Sequence, residues 1–313
     1  MKKIIPYGRH KIDNDEIEVL KNFLLKDKQI TQGPEVELFG QSVAKYVGAK
    51  YGVALSSGTA ALHAATAAIG LKKGDEVITT PITFCATANA VLYTGADIKL
   101  VDIDSDTLNI DENLIEKNIT NKTKAIMPVD FRGHPASLFK INQIAKKYKL
   151  KVIEDASHSL GSIYKHKKKF LKCGSCDHVD LATFSFHPVK HITTGEGGVV
   201  TTNNYNFYKK MIDFRKHGID RNKSMISKKK RIGEWIYDMN FLGYNYRLTD
   251  IQSVLGLQQL KKINQFIKRR RQIVKYYNDY LKNIDLVITP FEDKNVNSNF
   301  HIYVLQIKNY KSI

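Results

Sequence analysis

Residues 185–198 read SFHPVKHITTGEGG, which places a hydroxyl, a lysine and a glycine cluster on one short irregular segment between two apolar runs, 180–186 and 198–202. A lysine on such a segment can be withheld from bulk water. In a pocket, near positive or dipolar groups, the Lys190 amine loses its proton more easily and becomes a nucleophile for carbonyl compounds, which points to imine chemistry. Most lysines are solvated, so the neighbours matter: Gly195, Gly197 and Gly198 allow close backbone approach, and Ser185 offers a hydroxyl to an anion.

Outward from this stretch the chain alternates. Tyr51–Leu55, Glu76–Thr79, Ile98–Val101, Ala125–Pro128 and Lys151–Glu154 read as short buried strands. Helical stretches lie between them at Ala60–Ile69, Ala86–Tyr93, Leu114–Asn118 and Ile141–Tyr148. This βαβ rhythm predicts an α/β fold with a mostly parallel central sheet and helices on both faces, whose binding groups gather at the carboxyl ends of the strands.

Two strand ends carry chemistry. At 152–158, VIEDASH, Asp155 follows an apolar strand and expects a cationic partner such as a protonated heteroaromatic nitrogen; a helix N-cap accounts for the same residue. His158 falls on the same side of any helix that starts there. At 56–62, SSGTAAL, a glycine turn runs into an alanine-rich helix, and Ser57, Gly58 and Thr59 present backbone N–H groups suited to a phosphate or serve as an ordinary cap. Phosphate cradle, buried acid and imine-forming lysine, in that chain order, match the three handles of pyridoxal 5'-phosphate, with Phe84 placed to stack on its ring.

Composition narrows the alternatives. With 313 residues, 42% hydrophobic and 26% charged, the chain reads as globular, one large domain with a smaller second one. The net charge of +18 is spread over lysine-rich faces such as 167–169, 228–231 and 268–271, without zinc-finger spacing, an aromatic RNA-binding signature or zipper heptads. No nucleic-acid partner is expected; attraction to a phosphorylated small substrate fits the charge better. Only two apolar residues separate Lys3 from Pro6, and no apolar run spans a bilayer, so a cytoplasmic protein without membrane contact is expected. Cys85, Cys173 and Cys176 make no disulfide framework. Cys173 and Cys176 have the spacing of zinc and redox sites, but only His178 stands nearby as a further ligand, and no metal is expected.

Helices are expected at Asp13–Leu25, Glu35–Val47, Ile251–Leu260 and Lys261–Leu281, the last with Ile263, Phe266, Ile267, Ile273, Val274 and Tyr277 inward. Residues 203–235 read as a long surface loop. After Asn283 at most two strands are expected, at Leu286–Thr289 and His301–Ile307.

Five motifs now carry a likeness to a known group: TQGP at 31–34, SGTAAL at 57–62, EDA at 154–156, FSFHPVK at 184–190 and GYNYR at 243–247. Over nearly its whole length the chain resembles the DegT/DnrJ/EryC1/StrS family, pyridoxal-phosphate enzymes of the aspartate-aminotransferase type I fold. The resemblance implies a large cofactor-binding domain at 1–255 and an incomplete small C-terminal α/β domain at 256–313, because family members continue past Ile313; an inactive, truncated cofactor-binding protein is the alternative.

By the same resemblance Lys190 holds the cofactor and shuttles protons, Asp155 pairs with the ring nitrogen, His158 approaches the ring hydroxyl and Phe84 stacks. Ser57, Gly58, Thr59 and Ser185 bind the phosphate, and Asn245 reaches the phosphate of the neighbouring subunit of a homodimer. Thr31, Gln32 and Arg247 stand on the substrate side, although an intradomain ion pair accounts equally for Arg247. The implied reaction moves an amine from L-glutamate to a 4-keto nucleotide sugar, UDP-linked 4-keto hexosamines first, with dTDP- and GDP-ketosugars sharing the motifs. Some family members are dehydratases with histidine at the lysine position; Lys190 is retained here, followed by His191, so amine transfer is expected.

Overall fold

The computed structural model describes residues 8–26, 29–219 and 237–308; the basic run 228–231 and the last part of the expected loop, 220–235, lie outside them. A seven-stranded sheet organises the fold, in the order β1-β9-β8-β5-β4-β2-β3. Its strands are β1 (Tyr51–Leu55), β2 (Glu76–Thr79), β3 (Asp97–Leu100), β4 (Thr123–Ile126), β5 (Lys151–Asp155), β8 (Leu181–Ser185) and β9 (Gly198–Thr202). Pairing is parallel from β3 through β8, and β9 runs antiparallel to both β8 and β1. Near-continuous burial along β1, β5, β8 and β9 shows that both faces are covered, and apolar neighbours such as Val152 and Ile153 or Val199 and Val200 fill them.

One face packs α3 (Gly58–Ala68), α4 (Cys85–Leu92) and α7 (Tyr205–Phe214) around Val53, Ala64, Val77, Ile153 and Val200. The other carries α2 (Pro34–Val47), α6 (Leu138–Tyr148) and α8 (Asp250–Leu281), together with α1 (Asn14–Leu24) packed on α8 and the single turn α5 (Glu112–Ile115). Helix α7 corrects the loop expected at 203–235. Asn204 caps it through Asn206 and Phe207, and Phe207, Met211 and Phe214 lie on one face against the core, with Lys209 and Lys210 between them.

The two helices expected at 251–281 are one 32-residue helix, α8, capped by Thr249 and Gln252 in a capping box. It runs unbroken through residue 255. Of its expected inward face, Ile263 and Val274 are buried, whereas Ile273 and Tyr277 are exposed. The last described segment forms three short strands where at most two were expected. β10 (Val287–Ile288) pairs with β12 (Gln306–Ile307), and β11 (Val296–Asn297) joins β6 (Ile163–His166) and β7 (Lys169–Lys172) in a small sheet. The described residues after α8 are thereby tied to the main body through β11, and through Arg132, whose Nη2 donates to the Phe291 carbonyl at 2.6 Å.

Candidate active site

The lysine loop is a wide turn between β8 and β9. Ser185 and Gly198 pair at its mouth, Phe186 N–H donates to Gly197 O at 2.9 Å, and Thr194 N–H and Thr193 Oγ1 both donate to Phe186 O at 3.0 Å. Lys190 sits at the tip of an inner turn, its N–H donating to His187 O at 2.9 Å. Gly198 has to be glycine: a Cβ there would lie 2.3 Å from Ser57 O. Strand β9 therefore presses directly on the turn that starts α3.

That contact brings the two expected loops together. A Cβ on Gly58 would stand 2.8 Å from Ser185 Cβ, so the glycine lets the Ser185 hydroxyl approach the start of α3. Ser57 is the N-cap of α3, its Oγ accepting from Ala60 N–H at 3.0 Å. The first turn of α3 has no acidic residue, whereas α1 and α2 each carry two, and its N–H end is left positive.

Asp155 ends β5, buried, with Oδ2 accepting from Thr87 Oγ1 at 2.7 Å and Oδ1 from Ser157 N–H at 3.2 Å. Burial lowers the Lys190 pKa from the ordinary lysine value, and the carboxylate of Asp155 is close enough to oppose the shift. Phe84 is the residue before α4, in whose first turn Thr87 lies, and its apolar ring is 70% exposed.

Thr87 escaped the sequence reading. Its only signal was its place one helical turn after Thr83, whose hydroxyl lies 2.7 Å from its own. Thr87→Val leaves a buried carboxylate oxygen without that donor and is expected to cost about 2 kcal/mol of stability, read by chemical denaturation.

His158, close enough to Lys190 to feel its charge, brings two further histidines. Its ring stands 4.4 Å from that of His301, which stands 4.9 Å from that of His191. His158 Nδ1, His191 Nε2 and His301 Nδ1 are buried without hydrogen-bond partners among the described residues. Burial first, then nearby cations, lowers all three pKa values: His158 falls to about 3 with Lys190 contributing, and His191 and His301 fall well below the usual range with Lys190 and Arg270 contributing. The rings are therefore neutral.

The other expected residues gather elsewhere. Gln32 and Arg247 line a cavity of about 270 Å3 whose lining includes none of Lys190, Asp155 and His158. Thr31 bridges to Thr249, and Asn245, exposed, bridges to Lys216. The cysteines also part company. Cys85 is exposed; His178 accepts or donates at Tyr164 Oη, 3.0 Å away, rather than meeting the buried pair; and Cys173 lies with Asp130 and Glu154, their ligand atoms within 4.8 Å of one another. Burial raises all three of those pKa values.

A lysine with a weakened hold on its proton, beside a buried carboxylate and a glycine-cradled helix start, accompanies a likeness that runs through the chain. The sequence profile of the DegT/DnrJ/EryC1/StrS aminotransferase family matches residues 10–312. The chain belongs to that family. It is 40% identical over 311 residues to the UDP-4-amino-4,6-dideoxy-N-acetyl-beta-L-altrosamine transaminase of Campylobacter jejuni subsp. jejuni serotype O:23/36 (strain 81-176), covering 98% of this chain and 74% of that one.

Among solved structures it is similar to Helicobacter pylori PseC, an aminotransferase involved in the biosynthesis of pseudoaminic acid, at TM-score 0.88 and 32% identity, covering 98% of this chain and 78% of that one. NtdA of Bacillus subtilis, solved with bound cofactor PMP, superposes at TM-score 0.80 with 32% identity, covering 95% of this chain and 65% of that one. The fold is the type I aminotransferase fold, and the family's aminotransferases depend on pyridoxal phosphate. Among the described residues no helix is long and apolar enough to cross a membrane.

Proposed function

We propose that this chain transfers the amino group of L-glutamate to the 4-keto carbon of a UDP-linked 6-deoxy-N-acetylhexosamine, as a cytoplasmic homodimer serving pseudaminic acid or a related cell-surface sugar. The observation that carries the reaction type is Lys190, an amine whose pKa burial lowers, close enough to Asp155 to feel its charge. The substrate assignment rests on the likeness to the Campylobacter transaminase and to PseC.

The residues fit the cofactor. Gly58 leaves room that a Cβ would fill beside Ser185, Asp155 is buried with no cation bonded to it among the described residues, and His158 Nδ1 is unpartnered. Bound there, pyridoxal phosphate supplies an aldehyde for amines and a ring that takes up the electron pair left when a substrate C–H proton is removed.

The protein's part is to bind and to move protons. Ser57, Gly58, Thr59 and Ser185, with the start of α3, hold the phosphate. Asp155, fixed by Thr87 and the Ser157 amide, keeps a proton on the ring nitrogen. Phe84 would cover one ring face, and His158, neutral, would serve the ring hydroxyl as a hydrogen-bond partner. Lys190 would take up and hand back the proton of the substrate carbon, a role that needs an amine titrating nearer to neutrality than a solvated one. The partner's Asn245 completes the phosphate site, and Thr31, Gln32 and Arg247 face the sugar nucleotide.

Incubation with L-glutamate and a panel of UDP-, dTDP- and GDP-linked 4-keto sugars tests the reading. Release of 2-oxoglutarate is expected with the UDP-linked N-acetylhexosamine. Release with dTDP- or GDP-sugars alone would move the substrate; release with none would leave only cofactor binding.

A further inference from the structure

His301 stands on a turn whose other polar groups are committed to holding it. Ser298 Oγ donates to Gly133 O at 2.9 Å and accepts from Phe300 N–H at 3.1 Å. Asn299 Nδ2 donates to Leu160 O at 3.0 Å, and its Oδ1 accepts from His301 N–H at 3.1 Å. From α8, Arg270 Nη1 donates to His301 O at 3.0 Å and Arg271 Nη1 to Ser298 O at 2.7 Å. Phe300 has φ 49, a left-handed backbone that a residue with a Cβ keeps only where its surroundings hold it. The turn also meets the segment after β4: a Cβ on Gly133 would lie 1.9 Å from Asn299 Oδ1 and 2.9 Å from His158 O. His301 is thereby fixed against the backbone that carries His158.

The imidazole itself is the exception. Nδ1 of His301 is buried with no hydrogen-bond partner among the described residues, and so is Nδ1 of His158, the two ring centres 4.4 Å apart and the planes inclined at 36°. A buried polar atom left unpaired costs about 1–3 kcal/mol, and a phenyl ring at 301 would fill the space without that cost. The histidine is explained if its nitrogen is used. Phe131, the other ring against His158 at 6.0 Å, has no polar atom to offer. Both imidazoles are held neutral, chiefly by burial, with Lys190 adding to the effect at each and Arg270 at His301. A neutral imidazole has one donor and one acceptor nitrogen, so either ring can donate to the other, which two imidazolium ions could not do. A turn of one ring about χ2, a torsion with a broad minimum, brings nitrogens of rings this close within hydrogen-bond distance.

We infer that His301 is a positioning residue for His158: its ring nitrogen pairs with Nδ1 of His158 and so fixes which tautomer His158 presents to the ring hydroxyl of pyridoxal phosphate. A bond made by one imidazole nitrogen sets the proton on the other, which is how a residue behind His158 reaches the cofactor. The inference rests on the cofactor reading above and adds the residue that orients one of its contacts.

Nitrogen NMR of the full chain carrying isotope-labelled histidine, unsubstituted and as His301→Phe and His301→Gln, decides it, the His158 signals being those that vanish in His158→Gln. One His158 tautomer is expected in the unsubstituted chain, a mixture of two in His301→Phe, and one again in His301→Gln, whose amide both donates and accepts. Pyridoxal phosphate affinity, read by fluorescence titration, is expected to weaken about 10-fold in His301→Phe and to recover most of that in His301→Gln. An unchanged tautomer and affinity in His301→Phe would reduce His301 to packing and overturn the inference; a folded His301→Gln that behaves as His301→Phe would overturn it too. Should His301→Phe fail to fold, the unsubstituted chain still decides, since two His158 tautomers in exchange there would contradict the pairing. The tautomer is read before cofactor is added, so an unsubstituted chain that binds no pyridoxal phosphate strikes the cofactor reading, whereas normal binding with an unfixed His158 strikes only the pairing.

Discussion

Lys190→Ala is expected to reduce glutamate-dependent amine transfer by about 1,000-fold or more and to abolish the visible absorbance of covalently held cofactor, since proton transfer by a positioned side chain alone contributes about 10²–10⁴-fold. The loss should not come from unfolding. Burial disfavours the charged form of Lys190, so removing it relieves a desolvation cost that offsets the lost attraction to Asp155, and the variant should fold with a stability close to the parent's. Lys190→Arg is expected to be equally inactive, because a guanidinium does not release its proton near neutrality and cannot act as nucleophile or base. Assays of 2-oxoglutarate release, visible absorbance and denaturation midpoints on the two variants check the three statements. Normal colour in Lys190→Ala would remove the lysine from its assigned role.

Mild acid is expected to unfold the chain steeply. His158 is held at about 3, His63 and His134 at about 4 and His191 and His301 well below the ordinary value, each chiefly by burial. An unfolded histidine titrates near 6.5, so below that pH the unfolded chain binds protons that the folded chain refuses, and stability falls with pH until the folded values are reached. Asp130 and Glu154 oppose this: burial raises both, so the folded chain keeps protons there that unfolding releases. The lowered histidines outnumber the two acids, so unfolding takes up protons on balance, and each proton in excess is worth about 1.4 kcal/mol per pH unit against the ~5–15 kcal/mol that holds a typical domain together. Urea denaturation at three pH values between 7.5 and 5.5 measures the slope. A stability that is flat or rises toward acid would contradict the burial of these rings.

Most of the sheet could be read from the chain because strands buried on both faces are continuous apolar runs, and β1, β2, β5, β8 and β9 fall on or within a residue of the stretches that composition marks. The same holds for Lys190, Asp155 and Gly58, each at the carboxyl end of a strand or at a turn beside one. What escaped depends on contacts distant in sequence. Helix α7 was hidden because Lys209 and Lys210 interrupt its apolar spacing. No glycine or proline marks a break between Leu260 and Lys261, and one helix continues where two were expected.

Val296–Asn297 is a strand only because β6 is there to pair with it. His301 is more than a hundred residues from His158, and nothing local to either reports that their rings meet. Thr87 had no expected role, because its hydroxyl meets Asp155, 68 residues away in sequence, only in the folded chain. Lys216, between a buried arginine and a histidine with φ 62, gave no sign in the sequence of the cavity it lines.

The most direct test of the central claim is where the cofactor becomes attached. Full-length chain loaded with pyridoxal phosphate, reduced with borohydride and digested, should yield a single cofactor-bearing peptide, modified at Lys190 and lost when L-glutamate is added before reduction. Modification spread over surface lysines, or a Lys190 peptide that stays unlabelled, would contradict the account.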